Sequence, residues 1–210
     1  MKILIIGSTG GTGQQLVKQA LEKNNIVTAF ARKPSKLKIE HYNLKILKGD
    51  VFDIDSLAEA INEQDVVISS LGHKRFLLPN KILSQGTKNI IDVMGKNNVK
   101  RFICISSLGI GDSIGRMGLY YTLFVIPVIL HFYFWDKGKQ EKIIRKSNLD
   151  WTIVRPGALN NRKAKGNYKH GKNIGDFIWT VSISRSDVAN FILDQLTDKT
   201  YINDTTGICW

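Results

Sequence analysis

The chain opens Ile3-Leu4-Ile5-Ile6-Gly7-Ser8-Thr9-Gly10-Gly11-Thr12-Gly13, and the reading of this stretch decides the fold. The four apolar residues form a strand, the glycines a tight turn, and the pattern from Gln14 onward a helix. Strand, glycine-rich turn and helix open a dinucleotide-binding βαβ unit, where backbone N–H groups and the positive end of a helix receive a pyrophosphate. The glycines recur as G-x-x-G-x-x-G instead of the standard G-x-G-x-x-G. Small residues still suit these points, because a side chain would block the turn and the approach of phosphate. The strand before and the helix after supply the context such a motif needs.

Outward from this turn, the first helix is expected over Thr12 to Lys23 and the second strand over Ile26 to Phe30, ending in Ala31-Arg32-Lys33-Pro34. An acid at the tip of that strand would bind the free 2′-hydroxyl of NAD, whereas arginine accommodates a 2′-phosphate. Two cations and no acid stand here, which favours NADP(H) over NAD(H), with Arg32 as the direct contact and Lys33 beside it. Leu44 to Leu47 is the third strand, and Asp50 beyond it is placed to meet the adenine amino group, with Val51 against the ring. Asp55 or Ser56 is expected to begin a helix that runs through Ile61. The strand Asp65 to Ser70 leads into Leu71-Gly72-His73-Lys74-Arg75. A helix over Lys81 to Lys96 and a strand over Arg101 to Ile105 follow, with Ser106-Ser107 at its exit.

This alternation predicts an α/β fold, a Rossmann-like doubly wound parallel sheet flanked by helices, in a single domain over residues 1–210. Ligands of such sheets bind beyond the carboxyl ends of the strands. The glycine loop, Arg32, Asp50, Gly72 and Ser106-Ser107 therefore share one rim. Segments of about 107–140 and 155–182 fall on the substrate side.

Leu119 to Trp135 is almost wholly apolar or aromatic, yet too short for a membrane span of about twenty residues. The alternatives are a buried helix, a pocket wall or a subunit interface, and pocket wall with interface is favoured. An amphipathic helix is expected from Asp136 to Ser147. Trp151 to Gly157 reads as a sixth strand with Pro156 at its exit, Arg162 to Gly166 as a solvated basic loop, and Val188 to Leu196 as a last helix after Ser184-Arg185-Ser186-Asp187.

The formal net charge is +12 over 210 residues, which suits a phosphate-bearing partner. The cations are scattered and lack aromatic interleaving, so no nucleic-acid module is expected. Two cysteines and four histidines without ligand spacing support neither a disulfide framework nor a metal site. The initial apolar run is too short for a signal peptide, and a cytoplasmic protein without membrane contact is expected. Self-association as a homodimer stays open.

These residues resemble the atypical short-chain dehydrogenase/reductase superfamily, in its NAD(P)H-binding, NmrA-like branch that includes flavin and biliverdin reductases. The resemblance covers essentially the whole chain. It rests on Gly7 to Gly13, Gly49-Asp50-Val51, Ser84 to Ile90, Ser106 to Gly109, Arg145 to Pro156 and Ser184 to Ala189. It implies that Gly7, Ser8, Thr9, Gly10, Gly11, Thr12 and Gly13 hold the pyrophosphate, Arg32 the 2′-phosphate and Asp50-Val51 the adenine. It places Leu71, Gly72, Ser106 and Pro156 at the nicotinamide side. Members use a serine with Tyr-x-x-x-Lys, here Ser107, Tyr133 and Lys137, with Glu141 following. The tyrosine donates the proton that the oxyanion left by hydride transfer requires. Tyr133 has two readings, proton donor or core aromatic. Ala158 stands where biliverdin-reducing members carry histidine, which weakens that activity in particular. The expected function is hydride transfer from NADP(H) to a small-molecule acceptor, a flavin, quinone or similar conjugated ring. The alternative is a non-catalytic NADP(H) sensor of the NmrA type. An epimerase-like enzyme is disfavoured because the length leaves little room for a substrate domain.

Overall fold

The computed structural model describes residues 1–73 and 76–210. Lys74 and Arg75, part of the expected strand exit, lie outside the described residues. In chain order the elements are β1 (Lys2–Ile6), α1 (Gly11–Glu22), β2 (Ile26–Ala31), β3 (Leu44–Lys48), α2 (Ile54–Ile61), β4 (Val66–Ser69), α3 (Ile82–Lys96) and β5 (Arg101–Ile105). After a π-helix over Tyr121–Ile129 come α4 (His131–Arg145), β6 (Asp150–Pro156), β7 (Ala158–Asn160), β8 (Lys169–Gly171), β9 (Ser182–Ser184), α5 (Arg185–Asp194) and β10 (Asp204–Cys209). The main sheet has the order β3-β2-β1-β4-β5-β6-β10-β8. Its pairings are parallel except at the β8 edge, which runs antiparallel to β10. β7 and β9 form a separate parallel pair.

β1 shows how the sequence builds this. Ile3, Leu4, Ile5 and Ile6 are all buried, but alternate residues face opposite sides. Ile3 and Ile5 join Leu16, Val17 and Ile192 under α1 and α5. Leu4 and Ile6 join Leu57, Ile90 and Phe102 under α2 and α3. A strand covered on both faces must be a continuous apolar run, and each such side chain contributes about 1.5–3 kcal/mol by leaving water. β2 lies on one side of β1 and β4 on the other. The order in which strands are added to the sheet thus switches sides at β1, and the resulting crevice opens at the strands' carboxyl ends.

Several expectations change. Asp53 caps α2, its carboxylate accepting from the Ser56 amide at 3.3 Å, so the helix starts before Asp55. β7 to β10 were not expected from sequence. β10 reads Asp204-Thr205-Thr206-Gly207-Ile208-Cys209 and lacks an apolar run, yet Thr206 and Ile208 are fully buried beside β6. Its β-branched threonines fit a pleated sheet; the Thr206 hydroxyl donates to the Gly207 carbonyl, and the Thr205 hydroxyl accepts from Arg145. The Leu119–Trp135 segment is not a buried helix. No residue of Tyr121–Ile129 is buried, and α4 begins at His131 instead of Asp136. Pro127 lies inside the π-helix, where its missing N–H leaves a gap in the hydrogen-bond ladder.

Two carboxylates fasten helix ends. Asp136 of α4 accepts from the Leu83 and Ser84 amides and the Ser84 hydroxyl, so it caps α3 from outside. α3 has no side-chain cap of its own. Asp187, in the first turn of α5, accepts from the amides of Lys165 and Gly166, the Ser184 hydroxyl and the Trp210 indole. Burial alone would raise its pKa, but these donors outweigh burial and hold the carboxyl below its ordinary value. A depressed carboxyl stabilises the fold fully above the unfolded value of about 3.9 and loses that contribution as pH falls toward its native pKa. Asp187→Asn should therefore cost about 1–3 kcal/mol in urea unfolding at neutral pH. The gap between variant and parent should narrow below about pH 4. An unchanged gap at acid pH would contradict the assignment.

Candidate active site

The glycine turn is shaped by backbone crowding. Gly7 has φ +80°, and a Cβ on it would meet the Ser70 carbonyl at 2.8 Å. A Cβ on Gly13 would stand 2.3 Å from the Gly7 carbonyl, so α1 rests directly on the turn. Gly10 is the N-cap of α1, with no side-chain cap and no acid in the first turn. The first amides of α1 and the positive end of its dipole are consequently left for an anion. Two residues of the motif, Ser8 and Gly13, do not line the cavity beyond it. Ser8 is fully buried with its hydroxyl donating to the Phe30 carbonyl at 3.3 Å. Gly13 is absent from the cavity wall because its surface is spent on the contact with Gly7.

Beyond this turn lies a cavity of about 1030 Å³, walled by the carboxyl ends of β1 to β6. Thr9, Gly10, Gly11 and Thr12 form its floor. At one end stand Arg32, Lys33 and Lys36, all exposed. Lys36 comes from a 3₁₀ turn, Pro34–Lys36, that curls the chain back toward the strand tip. Asp50 and Val51 line the wall beside them. Val51 is held by α3, its carbonyl accepting from Asn89 at 2.9 Å. A Cβ on Gly86 would come within 2.7 Å of the Val51 side chain.

The other end carries Leu71, Gly72, Ser106, Ser107, Tyr133, Lys137 and Pro156. Tyr133 and Lys137 sit one turn apart on α4. Tyr133 is half-buried on the cavity wall, not in the core, and its hydroxyl lies 3.6 Å from the place a Gly72 Cβ would take. The Lys137 ammonium is 5.3 Å from the Tyr133 ring centre and donates to the Ile105 carbonyl at 3.1 Å. His73 meets the same ring edge-on at 4.9 Å.

Behind these groups is a buried charge cluster. Glu141 accepts from Ser106 Oγ at 2.5 Å and from Arg155 at 2.9 and 2.6 Å, and Arg155 also donates to Asp112. Glu141 and Arg155 are 4% and 3% exposed. Burial works against the Arg155 charge, but hydrogen bonding to Glu141 and then Asp112 raises its guanidinium above the ordinary value. The hydrogen bond from Arg155 holds Asp112 below the usual carboxylate range. Ser106 is thus committed to Glu141, while Ser107 faces the cavity.

Lys36 and Arg185 escaped the sequence reading. Arg185 opens α5 with its side chain over the glycine loop, and a Cβ on Gly11 would touch its Cδ and Nε at 2.7 Å. β9 ends at Ser184, and with that strand unread nothing in the sequence placed Arg185 on the rim. Among the described residues no group of His, Cys, Asp and Glu could hold a metal ion. Cys104 is a buried filler whose thiol burial pushes up to about 12.

A model of the NAD(P)H-binding family matches residues 7–199. The chain belongs to this family. NAD(P)H is accordingly the ligand class of the protein, in a family of NAD(P)H-dependent oxidoreductases. An uncharacterised chloroplast protein of Arabidopsis thaliana is 31% identical over 94% of the chain and 72% of its own length. The oxidoreductase ylbE of Lactococcus lactis is 26% identical, with a TM-score of 0.83 over 99% of this chain and 90% of that one. The anaerobilin reductase ChuY of Escherichia coli O157:H7, at 23% identity and a TM-score of 0.80 over 99% and 96%, shares the fold.

The charge cluster is testable. Glu141→Gln removes the buried anion of the Arg155 guanidinium and leaves it only the exposed Asp112, and should cost about 3–5 kcal/mol in chemical denaturation. A loss below about 1 kcal/mol, the range of exposed pairs, would contradict the burial argument.

Proposed function

We propose that this protein is an NADP(H)-dependent reductase acting on a flat conjugated acceptor of the flavin or quinone type. The observation that carries this reading is the distribution of groups along the crevice. Three cations without an acid stand at the tip of β2, and a tyrosine–lysine pair stands at the far end between apolar walls.

The residues fit the cofactor class. The uncapped start of α1 and the side chain of Arg185 would hold the pyrophosphate. Arg32, Lys33 and Lys36 would hold the 2′-phosphate, which charge-assisted hydrogen bonds from arginine suit best. Asp50 and Val51 would meet the adenine, and Leu71, Gly72, Ser106 and Pro156 would border the nicotinamide. When bound, the nicotinamide supplies the hydride.

The remaining chemistry belongs to the chain. Tyr133 presents its hydroxyl at the cavity wall as proton donor to an acceptor oxygen, and Ser107 offers a second hydroxyl. Lys137, fixed on the Ile105 carbonyl, places a positive charge beside the tyrosine where negative charge develops. Met117, Tyr121, Leu130 and Phe134 complete an apolar wall over that end, suited to a ring system. A flavin can take its proton from water, so Tyr133 matters most for a quinone or carbonyl acceptor.

The test is absorbance-monitored NADPH oxidation with FMN, riboflavin and a soluble quinone. Turnover well above the acceptor-only background is expected. Tight NADPH binding without turnover on any acceptor would instead favour the sensor. Arg32→Ala should weaken NADPH binding about 10- to 100-fold and leave NADH binding nearly unchanged. Equal losses for both would remove the 2′-phosphate assignment. Tyr133→Phe should lower quinone turnover about 100-fold without changing NADPH affinity, and unchanged turnover would return Tyr133 to a packing role.

A further inference from the structure

We propose that the apolar face built from the π-helix Tyr121–Ile129 and the start of α4 rests on an anionic lipid bilayer, from which the acceptor enters the crevice. The second half of this statement rests on the reductase reading; the docking face does not.

From Leu119 to Trp135 the sequence holds no Asp, Glu, Lys or Arg. The structure turns this run outward: Leu123, Phe124 and Val128 are 60%, 62% and 69% exposed. A second segment extends the face. The Leu119 amide bonds to the Ile178 carbonyl at 3.1 Å, bringing up the exposed Phe177, Ile178 and Trp179. Contiguous apolar surface of this kind marks an interaction site on a monomer.

Charge identifies the occupant. The outward stripe of α4 runs His131, Trp135, Lys139, Lys142 and on to Lys146. Both acids of α4 are withdrawn, Asp136 onto the start of α3 and Glu141 onto Arg155. The Lys139 ammonium lies 3.3 Å above the Trp135 ring, and Arg116 covers Phe177 at 5.2 Å. Asp176 is the acid at this edge, and its carboxylate is occupied by the amides of Ile178 and Trp179. Apolar surface, then tryptophan, then lysines is the arrangement of a helix lying in a headgroup region. A second copy of the chain would bring +12 against +12, whereas an anionic bilayer neutralises that charge. No described helix is long and apolar enough to cross a membrane, so the face lies on the surface.

The position also matters. Tyr121 and Phe134, with Leu130 at the junction between the two helices, line the crevice on their inner side. The docking face therefore borders the acceptor end, and a lipid-soluble ring compound would pass from bilayer to crevice along apolar side chains.

The experiment is co-sedimentation of the full chain with phosphatidylcholine vesicles, with and without phosphatidylglycerol, alongside analytical ultracentrifugation. Binding is expected to the anionic vesicles and to fall with added salt. Lys142→Glu and Lys146→Glu should each weaken it at least about fivefold. The double variant Phe124→Ser/Val128→Ser should lose it while keeping NADPH affinity and turnover of soluble acceptors. Vesicle binding by a protein that reduces no acceptor upholds the docking face and removes only the reductase reading. No binding to either vesicle overturns the proposal, as does a dimer that Phe124→Ser dissociates.

Discussion

The close approach of Gly13 to the Gly7 carbonyl, with room for no Cβ between them, is the constraint on which the rest of the molecule depends. It seats the first turn of α1 on the exit of β1. The alternating apolar faces of β1 then fix which helices cover which side of the sheet. With β2 and β4 on opposite sides of β1, the uncapped amides of α1 open into the crevice between the two halves. The anion-receiving character of that crevice comes from backbone geometry, before any side chain is considered.

The acceptor end is organised differently, by charge instead of by close packing. Glu141 ties the exit of β5, through Ser106, to β6, through Arg155. Four residues earlier on the same helix, Lys137 holds the Ile105 carbonyl, and Tyr133 lies one turn earlier still. One face of α4 thus sets the position of the sheet exits and of the groups proposed to act on the acceptor. Buried ionic groups of this kind are weak contributors to net stability, but removal of one partner is costly. The cluster consequently resists change at the place where position governs the chemistry.

The first six strands were legible because each is a short, largely apolar segment ended by turn residues, and their exits carry the candidate residues of the glycine loop, Arg32, Asp50, Leu71-Gly72, Ser106-Ser107 and Pro156. The pocket position of Tyr133 was not decided by the sequence, since an aromatic run looks the same whether it faces the core or a crevice. For the same reason Leu119–Trp135 could be read as apolar but not as exposed. β10 stayed hidden because Thr205 and Thr206 are buried by partners far away in the chain. Arg185 and Lys36 stayed hidden because each depends on a short element, β9 or a 3₁₀ turn, too brief to leave a periodic pattern. Ser8 and Gly13 show the converse: a motif identifies its residues but does not say which of them line the cavity.

The most direct test of the crevice assignment is a crystal structure of the protein grown with NADP⁺. The pyrophosphate is predicted against the amides at the start of α1 beneath Arg185, with the 2′-phosphate among Arg32, Lys33 and Lys36. The nicotinamide is predicted beside Tyr133 and Lys137. A cofactor bound elsewhere, or one whose 2′-phosphate points away from all three cations into solvent, would contradict it.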